Sequence, residues 1–509
     1  MTVVRCGEVA FTIEDLLAVA RGESRAALST DPAWQRRIQA GVDFVGQHLR
    51  SGAQVYGVTT GVGDSCVNPV APEFAADLQR NLLRFHGCGT GRVLTELESA
   101  AVVAARLASL ANGWSAIRPR ILERLCQMLD RRLLPVIPAE GSVGASGDLT
   151  PLSYLAATIV GEREVYWRGK IVPAAVGLRE AGLEPIALEA KEALSLMNGT
   201  SVMTALACLA FEQSMRLARF SAALTAMTSD VTSGNPAHFD DRIFAAKPHP
   251  GQRACARWIA EDIGDAAKAS PRRLQDRYSI RCAPHVIGLV LDAAPFLRQL
   301  LETELNGAND NPLVDPDSGD VLHGGNFYGG HVCLAMDLLK NVVANLADLL
   351  DRQLAIVCNP AMNHGDLPAN LVLRSGPDAA AHHGFKAMQI STSALAAEAL
   401  KLTMPASAFS RSTECHNQDK VSMGTIAARD CLRIIELTET VAAIHALALC
   451  QGVDIRKQEG CGPRSRAIHA AVRRQVAVND QDRRMDGDIQ VVLAALRADA
   501  LPLGDKAFP

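Results

Sequence analysis

The segment 141–154, which reads GSVGASGDLTPLSY, contains the residues with the most unusual chemical potential. At its centre, Ala145, Ser146 and Gly147 form a tripeptide that is usually no more than a turn. Because Gly147 has no Cβ, its amide nitrogen can approach the Ala145 carbonyl in a strained turn. Cyclisation with loss of water gives an imidazolone, and loss of the Ser146 hydroxyl as a second water gives an exocyclic methylidene. The product is an electrophile, which the standard side chains do not supply.

Further segments contain polar and aromatic residues that could line a site. They are residues 56–63 (YGVTTGVG), 196–200 (LMNGT), 275–285 (QDRYSIRCAPH), 304–329, which includes ELNGANDNP and HGGNFYG, and 412–419 (STECHNQD). Taken singly, each has an ordinary structural explanation, such as a mobile loop, a helix N-cap or a surface ion pair. Their combination and their order along the chain are therefore more informative than any one of them.

Together with residues 141–154, these segments resemble the signature of the aromatic amino acid ammonia-lyases. This family comprises histidine, phenylalanine and tyrosine ammonia-lyases and the related aminomutases. The resemblance spans residues 56–423. It implies that Ala145, Ser146 and Gly147 become 4-methylideneimidazole-5-one, a prosthetic group formed autocatalytically by the chain. It also implies that no metal and no dissociable cofactor is needed.

The resemblance implies roles for several other side chains. Tyr56 would lie on a loop that closes over the substrate and would act as the general base. A free tyrosine has a pKa near ~10, so its anion would need stabilisation by the site. Asn198 would hydrogen-bond the prosthetic group or the substrate. Arg281 would bind the substrate carboxylate through its planar guanidinium, and Tyr278 would help to position the prosthetic group or the ammonia adduct.

The resemblance also adds Phe327, Gln418 and Glu414 to this site. Phe327 would pack beside the electrophilic ring, and Gln418 would help to hold that ring and Tyr278. Glu414 would lie close by and could face the substrate. Residues 412–419 are also a good helix-capping sequence, because Ser412 is followed by acidic residues in the next turn.

Two positions depart from the family pattern. His285 stands where most relatives have Gln, and Gly307 stands where the usual member has Ser. These departures leave open the detailed polar contacts behind the carboxylate site.

The implied reaction removes ammonia from an L-α-amino acid and gives a trans-aryl acrylate. The amine is a poor leaving group and the β-proton is barely acidic. An electrophilic methylidene can bond the neutral amine and improve it as a leaving group, although attack on the aromatic ring is an alternative. Tyr56 would then remove the β-proton, while Arg281 fixes the carboxylate so that the correct proton faces the base.

Substrate choice in this family resembles a two-residue code, and the matching pair is Phe85–His86. Histidine lyases typically have Ser-His here, tyrosine lyases His-Leu or His-Gln, and phenylalanine lyases Phe-Leu, so the pair fits none of them cleanly. Phe85 offers an apolar surface to an aryl ring. His86 could hydrogen-bond a ring hydroxyl, or it could be a partly buried histidine bonded to backbone.

Two further features point away from histidine as the substrate. Lys386 resembles a lysine of the phenylalanine-type lyases, where histidine lyases tend to have Met, and residues 416–418 (HNQ) are also similar to that type. We therefore expect tyrosine and/or phenylalanine, with tolerance for a hydroxylated ring such as L-DOPA. Three alternatives stay open: an aromatic aminomutase that makes a β-amino acid, a histidine ammonia-lyase, and a catalytically dead helical homologue.

The rest of the sequence predicts a mainly α protein. Apolar residues recur at helical spacing in residues 332–357, 201–231, 384–402 and 419–455. The clearest strand signal is a short hairpin at residues 165–172. By resemblance, the fold is a long-helix bundle with a smaller mixed N-terminal part. We expect residues 1–200 to carry the prosthetic-group loop and lid, and residues 201–509 to form the central and C-terminal bundle of a homotetramer with shared active sites.

Composition excludes several other classes of protein. A net charge of −4 and 48% hydrophobic residues argue against a disordered chain and against a basic nucleic-acid binder. The 13 cysteines include no CxxC pair and indicate reduced thiols. No run of 18 apolar residues occurs, and the closest stretch, 434–453, contains Glu436 and Glu439. With an N-terminus too charged for a signal peptide, these features predict a cytoplasmic protein without membrane contact.

Overall fold

The structure is a computed structural model that describes residues 2–264 and 273–504. It is mainly α, which confirms the predicted fold class. The chain divides into two compact units. The first comprises Met1–Ala210, Leu297–Asp337 and Pro405–Arg429, and the second comprises Phe211–Phe296, Leu338–Met404 and Asp430–Pro509. This grouping does not test the predicted division at residue 200, which stays a prediction.

The first 200 residues combine short helices with short strands. Their helices are α1 (Ile13–Arg21), α2 (Pro32–Arg50), α3 (Ala75–Phe85), α4 (Glu96–Leu110), α5 (Pro119–Arg131), α6 (Leu149–Ile159), α7 (Ala174–Glu180) and α8 (Glu192–Met197). Their strands are β1 (Thr2–Cys6), β2 (Ser24–Leu28), β3 (Thr90–Val93), β4 (Leu134–Pro135), β5 (Pro138–Glu140), β6 (Glu164–Trp167) and β7 (Lys170–Pro173).

Longer helices dominate the remainder of the chain. The helices in this part of the chain are α9 (Ser201–Val231), α10 (Asp241–Ala245), α11 (Pro250–Asp262), α12 (Tyr278–Arg281), α13 (Ala283–Leu305), α14 (Gly330–Cys358), α15 (Lys386–Lys401), α16 (Gly424–Ile455), α17 (Pro463–Arg473) and α18 (Asp486–Arg497). Strands β8 (Leu313–Asp315) and β9 (Asp320–Leu322) lie between α13 and α14. The division between the two units falls inside α9, α13, α14 and α16.

The strands form small separate sheets. β1 and β2 pair in parallel, whereas β3–β5, β4–β6–β7 and β8–β9 pair antiparallel. The predicted hairpin is confirmed: β6 and β7 pair with Tyr166 opposite Ile171 and Trp167 opposite Lys170. Such small sheets are consistent with a fold whose core is built mainly by helices.

The predicted long helices are largely confirmed because their apolar periodicity matches their burial. In the second unit, one face of α14 is fully buried through Leu339, Val343, Leu346, Leu350 and Leu354. α9 has the predicted bounds, and α15 begins two residues later than predicted.

The predicted start of the last long helix is wrong. Helicity in α16 begins at Gly424, whereas the sequence pattern placed it at residue 419. Residues 412–418 instead form a turn closed by a bridge between Thr413 and Gln418. The capping interpretation of Ser412 is therefore also wrong, since no helix starts there.

The described cysteines are all free, and none forms a disulfide within residues 2–264 and 273–504. By length and composition alone, one described helical stretch, Tyr278–Leu305, could cross a membrane, with a mean hydropathy of 1.4. Half of that window is buried inside the protein, and buried core helices meet the same criterion. This stretch differs from the one at 434–453 that the sequence pattern singled out.

Candidate active site

A cavity of about 360 Å³ lies in the first unit. Its walls come from the loop 56–65, the last turns of α3, the turn before α6, the end of α8 and residues 414–418. The cavity brings together seven residues that the sequence predicted for the site: Tyr56, Phe85, His86, Ser146, Asn198, Glu414 and Gln418. Its size suits one aromatic amino acid, because small-molecule sites usually begin near ~300 Å³.

The turn around Ser146 has a backbone that few residues can adopt. Ser146 and Gly147 both lie in the left-handed region, with φ of 49° and 75°. A bridge between Gly144 and Gly147 closes the turn. A Cβ placed on Gly147 would lie 2.2 Å from the Gly199 carbonyl oxygen, so no larger residue fits. The tripeptide therefore lies in a tight, strained turn, and its cyclisation stays a prediction.

Asp148, directly after the tripeptide, anchors this turn through its carboxylate. It is fully buried, and its carboxylate accepts hydrogen bonds from the hydroxyls of Ser142 (2.9 Å) and Thr425. It also accepts from the backbone N–H groups of Val202 (3.0 Å) and Met203 (2.9 Å) in the first turn of α9. Burial raises the pKa of Asp148, and these donors act in the opposite direction.

From its position alone, Asp148 would be expected to cap helix α6. It stands at the N-cap of α6, yet its side chain makes no capping hydrogen bond there and binds the start of α9 instead. Sequence reasoning missed this residue because an aspartate before a helix is an ordinary cap. Its carboxylate ties the tripeptide loop to the positive end of a long helix.

Gln418 and Asn198 face the tripeptide from two other segments. The Gln418 amide donates a hydrogen bond of 3.0 Å to the Ser146 hydroxyl. The buried Asn198 Oδ1 finds no hydrogen-bond partner among the described residues. An unpaired buried acceptor that lines a cavity is costly unless a ligand or water satisfies it.

Arg106 supports Asn198 from inside the protein. Its buried guanidinium donates to the carbonyl oxygens of Asn198 (2.8 Å), Ser195 and Asn309 (3.0 Å). Burial lowers the pKa of Arg106 to about 10, so the side chain stays charged at neutral pH. A sequence signal existed but was overlooked, because Arg106 is the one basic residue in the otherwise mostly apolar helix α4.

Tyr56 lies at the mouth of the site on the glycine-rich loop. Its hydroxyl accepts a hydrogen bond of 2.8 Å from the backbone N–H of Gly63. Burial raises the pKa of Tyr56 and the nearby Glu414 adds to this, whereas the Gly63 N–H lowers it. The phenol is therefore neutral near pH 7 in this arrangement, and a base role requires further stabilisation of its anion.

The loop that carries Tyr56 is anchored at its base through a side chain of α3. The buried Gln79 of α3 donates to the Gly57 carbonyl (3.2 Å) and accepts from the Ala193 N–H of α8 (3.1 Å). Beyond Gly61 the loop becomes a short 3₁₀ helix, Gly63–Val67, whose residues are not buried. This arrangement suits a loop that covers a substrate.

Glu414 meets the tip of this loop. Its carboxylate accepts from the backbone N–H of Asp64 at 3.1 and 3.2 Å. Glu414, Cys415 and His416 all have positive φ, so the chain makes a tight turn here that no helix could continue. The turn thereby directs an acidic side chain into the cavity wall.

Phe85 and His86 end α3 and line the other side of the cavity. Their rings are 4.1 Å apart between centroids. His86 Nδ1 lies 2.9 Å from the Leu82 carbonyl oxygen, which can only accept, so Nδ1 carries the proton. Burial lowers the pKa of His86, so the ring is neutral near pH 7 and Nε2 is a lone-pair acceptor.

Three predicted site residues belong to the second unit. Tyr278 and Arg281 lie on the single turn of α12, where the Arg281 guanidinium stacks 4.6 Å from the Tyr278 ring centroid and donates to the Asp276 carbonyl (3.0 Å). Tyr278 is 72% exposed. Lys386 is exposed at the first residue of α15.

Other predicted positions lie outside the wall of the cavity. Phe327 is half-buried on the loop before α14. His285 packs its ring 5.5 Å from that of Phe244, and burial lowers its pKa. A Cβ on Gly307 would lie 3.2 Å from Asn309 Oδ1, so a serine there would press on this asparagine.

Comparison with known proteins gives a consistent result. A family model described as aromatic amino acid lyase matches residues 11–474. A histidine ammonia-lyase of Koribacter versatilis is 39% identical over 88% of this chain and 89% of its own length. A tyrosine aminomutase structure from Streptomyces globisporus is 34% identical, with a TM-score of 0.92 and 100% of both chains covered.

A histidine ammonia-lyase structure from Trypanosoma cruzi is 31% identical, with a TM-score of 0.88 over 99% of this chain and 94% of that chain. The relatives thus differ in substrate and in reaction outcome while sharing one fold. The family match covers the loop 56–65, the tripeptide and the turn 412–418 that form the cavity. This chain belongs to the aromatic amino acid lyase family.

Proposed function

We propose that this chain is an ammonia-lyase that acts on an aromatic L-amino acid whose ring carries a hydrogen-bond donor. L-tyrosine is the first candidate, with L-DOPA and L-phenylalanine as weaker substrates, and the product is the trans-aryl acrylate. The observation that carries this proposal is the single cavity that Tyr56, Ser146 and Asn198 line together with Phe85 and His86. We further propose that it works in the cytoplasm as a homotetramer with shared active sites.

The residues present fit the prosthetic group of the family. Ser146 and Gly147 have left-handed φ, and Gly147 packs so closely on Gly199 that a side chain is excluded. Gln418 already donates to the Ser146 oxygen, and the unpaired Asn198 Oδ1 can accept from a bound amine or ring nitrogen. When formed, 4-methylideneimidazole-5-one supplies an electrophile that makes the substrate amine a better leaving group.

Tyr56 is our candidate for removing the β-proton. Its hydroxyl lines the cavity, and the Gly63 N–H that now donates to it would favour the phenolate. Because burial raises the pKa of Tyr56, the phenolate fraction and the rate should both increase with pH. Glu414, across the loop tip, is placed to attract the substrate ammonium group.

Arg281 is our candidate for binding the substrate carboxylate. A guanidinium matches a carboxylate bidentately, which fixes the Cα–Cβ bond relative to the base. Tyr278, whose ring stacks on Arg281 and is largely exposed, would meet the prosthetic group. In this proposal Phe327 packs beside the electrophilic ring, Gln418 helps to hold that ring and Tyr278, and Lys386 contributes to substrate selectivity.

His86 provides the argument for tyrosine. Its Nδ1–H is committed to the Leu82 carbonyl, so Nε2 can accept from a ring hydroxyl. Phenylalanine would give this acceptor no partner, whereas the hydroxyl of tyrosine or L-DOPA would donate to it. Phe85 offers the apolar surface on which the ring would lie.

Two other activities are favoured by specific observations. Histidine ammonia-lyase is the name of the relative at 39% identity, and an imidazole N–H would also donate to His86 Nε2. A tyrosine aminomutase shares the fold with a TM-score of 0.92, and its reaction would return a β-amino acid. A catalytically dead homologue is disfavoured because Tyr56, the tripeptide and Arg281 are all present.

Product identification with four substrates separates these activities. Purified protein is incubated with L-tyrosine, L-DOPA, L-phenylalanine or L-histidine, and products are identified by mass spectrometry. Coumarate as the main product would support the proposal. Urocanate alone would assign the chain to histidine, a β-amino acid would assign it to the aminomutases, and silence with all four would favour the dead homologue.

A further inference from the structure

Arg163 contacts the C-terminal end of α3 from outside the cavity and has no part in the proposed reaction. It lies in the loop between α6 and β6 with a left-handed φ of 66°. One amino group of its guanidinium donates to the Leu83 carbonyl, and the other donates to the Ser153 hydroxyl at 2.8 Å. The guanidinium also stacks 4.1 Å from the centroid of the Tyr154 ring.

The Ser153 hydroxyl extends this support to His86. Its oxygen lies 2.7 Å from the Thr150 carbonyl and 3.2 Å from the His86 carbonyl, and it can donate to either. Arg163 therefore supports two carbonyls in the last turn of α3, one directly and one through Ser153. A cation at this end of a helix also complements the partial negative charge of its free carbonyls.

The approach of Arg163 depends on Gly87. A Cβ on Gly87 would lie 2.6 Å from the Arg163 guanidinium. The absence of a side chain at Gly87 therefore leaves room for the guanidinium next to the end of α3. The neighbouring Gly89 N–H donates to the Tyr154 hydroxyl at 3.2 Å. The segment that follows Phe85 and His86 thus packs against the Arg163 guanidinium at Gly87 and is hydrogen-bonded to Tyr154 at Gly89.

We propose that Arg163 is a specificity-determining positioning residue. By fixing the last turn of α3, it sets the direction of His86 Nε2 and of the Phe85 ring, and so decides which substrate ring the cavity accepts. This inference deepens the proposed function and rests on it for the identity of the ring. Arg163 itself does not line the cavity.

The test measures kcat and KM with L-tyrosine, L-phenylalanine and L-histidine in four proteins. They are the wild type, Arg163→Met, Arg163→Lys and the matched control Arg84→Met. Arg84 lies in the last turn of α3 and forms an exposed ion pair of 2.7 Å with Glu162, the residue before Arg163, but its side chain makes none of the carbonyl contacts of Arg163. Melting temperatures are measured alongside.

In Arg163→Met we expect the tyrosine-to-phenylalanine ratio of kcat/KM to fall by at least about tenfold, mainly through KM for tyrosine. Arg163→Lys should recover part of the ratio, because an ammonium can reach one carbonyl but not both contacts. Arg84→Met should keep the wild-type ratio. If Arg163→Met fails to fold, Ser153→Ala provides the same test, since it breaks the link to His86.

The inference is overturned if Arg163→Met or Ser153→Ala folds and keeps the wild-type preference among whichever substrates the wild type uses. The proposed function fails by a different outcome, namely a wild type that prefers histidine or releases no aryl acrylate. In that case a changed preference in Arg163→Met would still support its positioning role. An equal loss with every substrate would make Arg163 a purely structural residue and would contradict the inference.

Discussion

At the scale of single residues, one ring nitrogen of His86 bonds to the backbone and the other is a free hydrogen-bond acceptor. The proton on Nδ1 is bound by the Leu82 carbonyl, and burial lowers the pKa of His86 so that Nε2 keeps its lone pair. The sequence left open whether His86 bonds to backbone or to substrate. The structure shows the backbone bond with one nitrogen, and it leaves the other nitrogen available for a ligand.

Replacing His86 with leucine should therefore change substrate preference more than catalysis. We expect kcat/KM for tyrosine to fall by about 10- to 100-fold, because the ring hydroxyl loses its acceptor, while that for phenylalanine is kept or increased. Steady-state kinetics with both substrates measure the effect. Equal losses for the two would contradict the role given to Nε2.

The same residue predicts a pH effect with a definite sign. Since the pKa of His86 is below its usual value, the ring stays neutral on lowering the pH to about 6.5 and protonates only below that. KM for tyrosine should therefore be flat through the neutral range and should rise only in acid, whereas KM for phenylalanine should not show this rise. A KM for tyrosine that increases already between pH 8 and 7 would indicate a raised pKa instead.

Tyr56→Phe tests the proposed base. The variant lacks the hydroxyl bound by the Gly63 N–H. We expect kcat to fall by about 10²- to 10⁴-fold with little change in KM, because proton removal is lost while the ring still packs. The wild-type rate should increase with pH through the mildly alkaline range, as the raised pKa of Tyr56 requires. A rate that decreases over this range would argue for a different base.

At the scale of elements, the site depends on contacts that local sequence patterns do not encode. α14 was predictable because its apolar residues repeat at helical spacing and are buried on that face, and α9 because it is long, largely apolar and buried on almost every side. The turn 412–418 was not, because its three successive positive φ angles are supported by distant partners, such as Ser146 for Gln418. Asp148 was missed for a similar reason, because three of its four hydrogen-bond donors lie on the distant helices α9 and α16.

Asp148→Asn tests how these elements form the tripeptide turn. An asparagine amide offers one acceptor oxygen where the carboxylate offers two, so some of the donors from Ser142, Thr425, Val202 and Met203 would lose their partner. We expect a loss of unfolding free energy on the order of 2–4 kcal/mol and a smaller fraction of chains that have lost two waters. Thermal melting and intact mass measure the two effects. Wild-type values for both would contradict the anchoring role.

At the scale of the whole molecule, the residues proposed for the site are distributed over two units. Tyr56, Asn198 and the tripeptide belong to the first unit, whereas Tyr278, Arg281 and Lys386 belong to the second. The homotetramer with shared active sites that we propose would account for this distribution. Sequence motifs could name these residues, but periodicity and composition could not say which subunit supplies each one.

Tetramers that contain two different variant chains test whether an active site takes residues from two subunits. Co-expression of Tyr56→Phe with Arg281→Met should restore roughly a quarter of the wild-type sites, because random assembly joins an intact Tyr56 and an intact Arg281 from different chains at that frequency. Each variant alone should be inactive. Size-exclusion chromatography checks that the hybrid is a tetramer. No recovery in an assembled hybrid would mean that both residues of a site come from one chain.

The proposed function depends first of all on the formation of the prosthetic group from Ala145, Ser146 and Gly147. Intact-mass spectrometry of the purified chain and of Ser146→Ala tests it most directly, without any assumption about the substrate. The wild type should be lighter than its sequence by two waters, and Ser146→Ala, although still assembled as a tetramer, should lack this double loss and be inactive. A wild-type chain with the full mass of its sequence, or full activity in Ser146→Ala, would contradict the account.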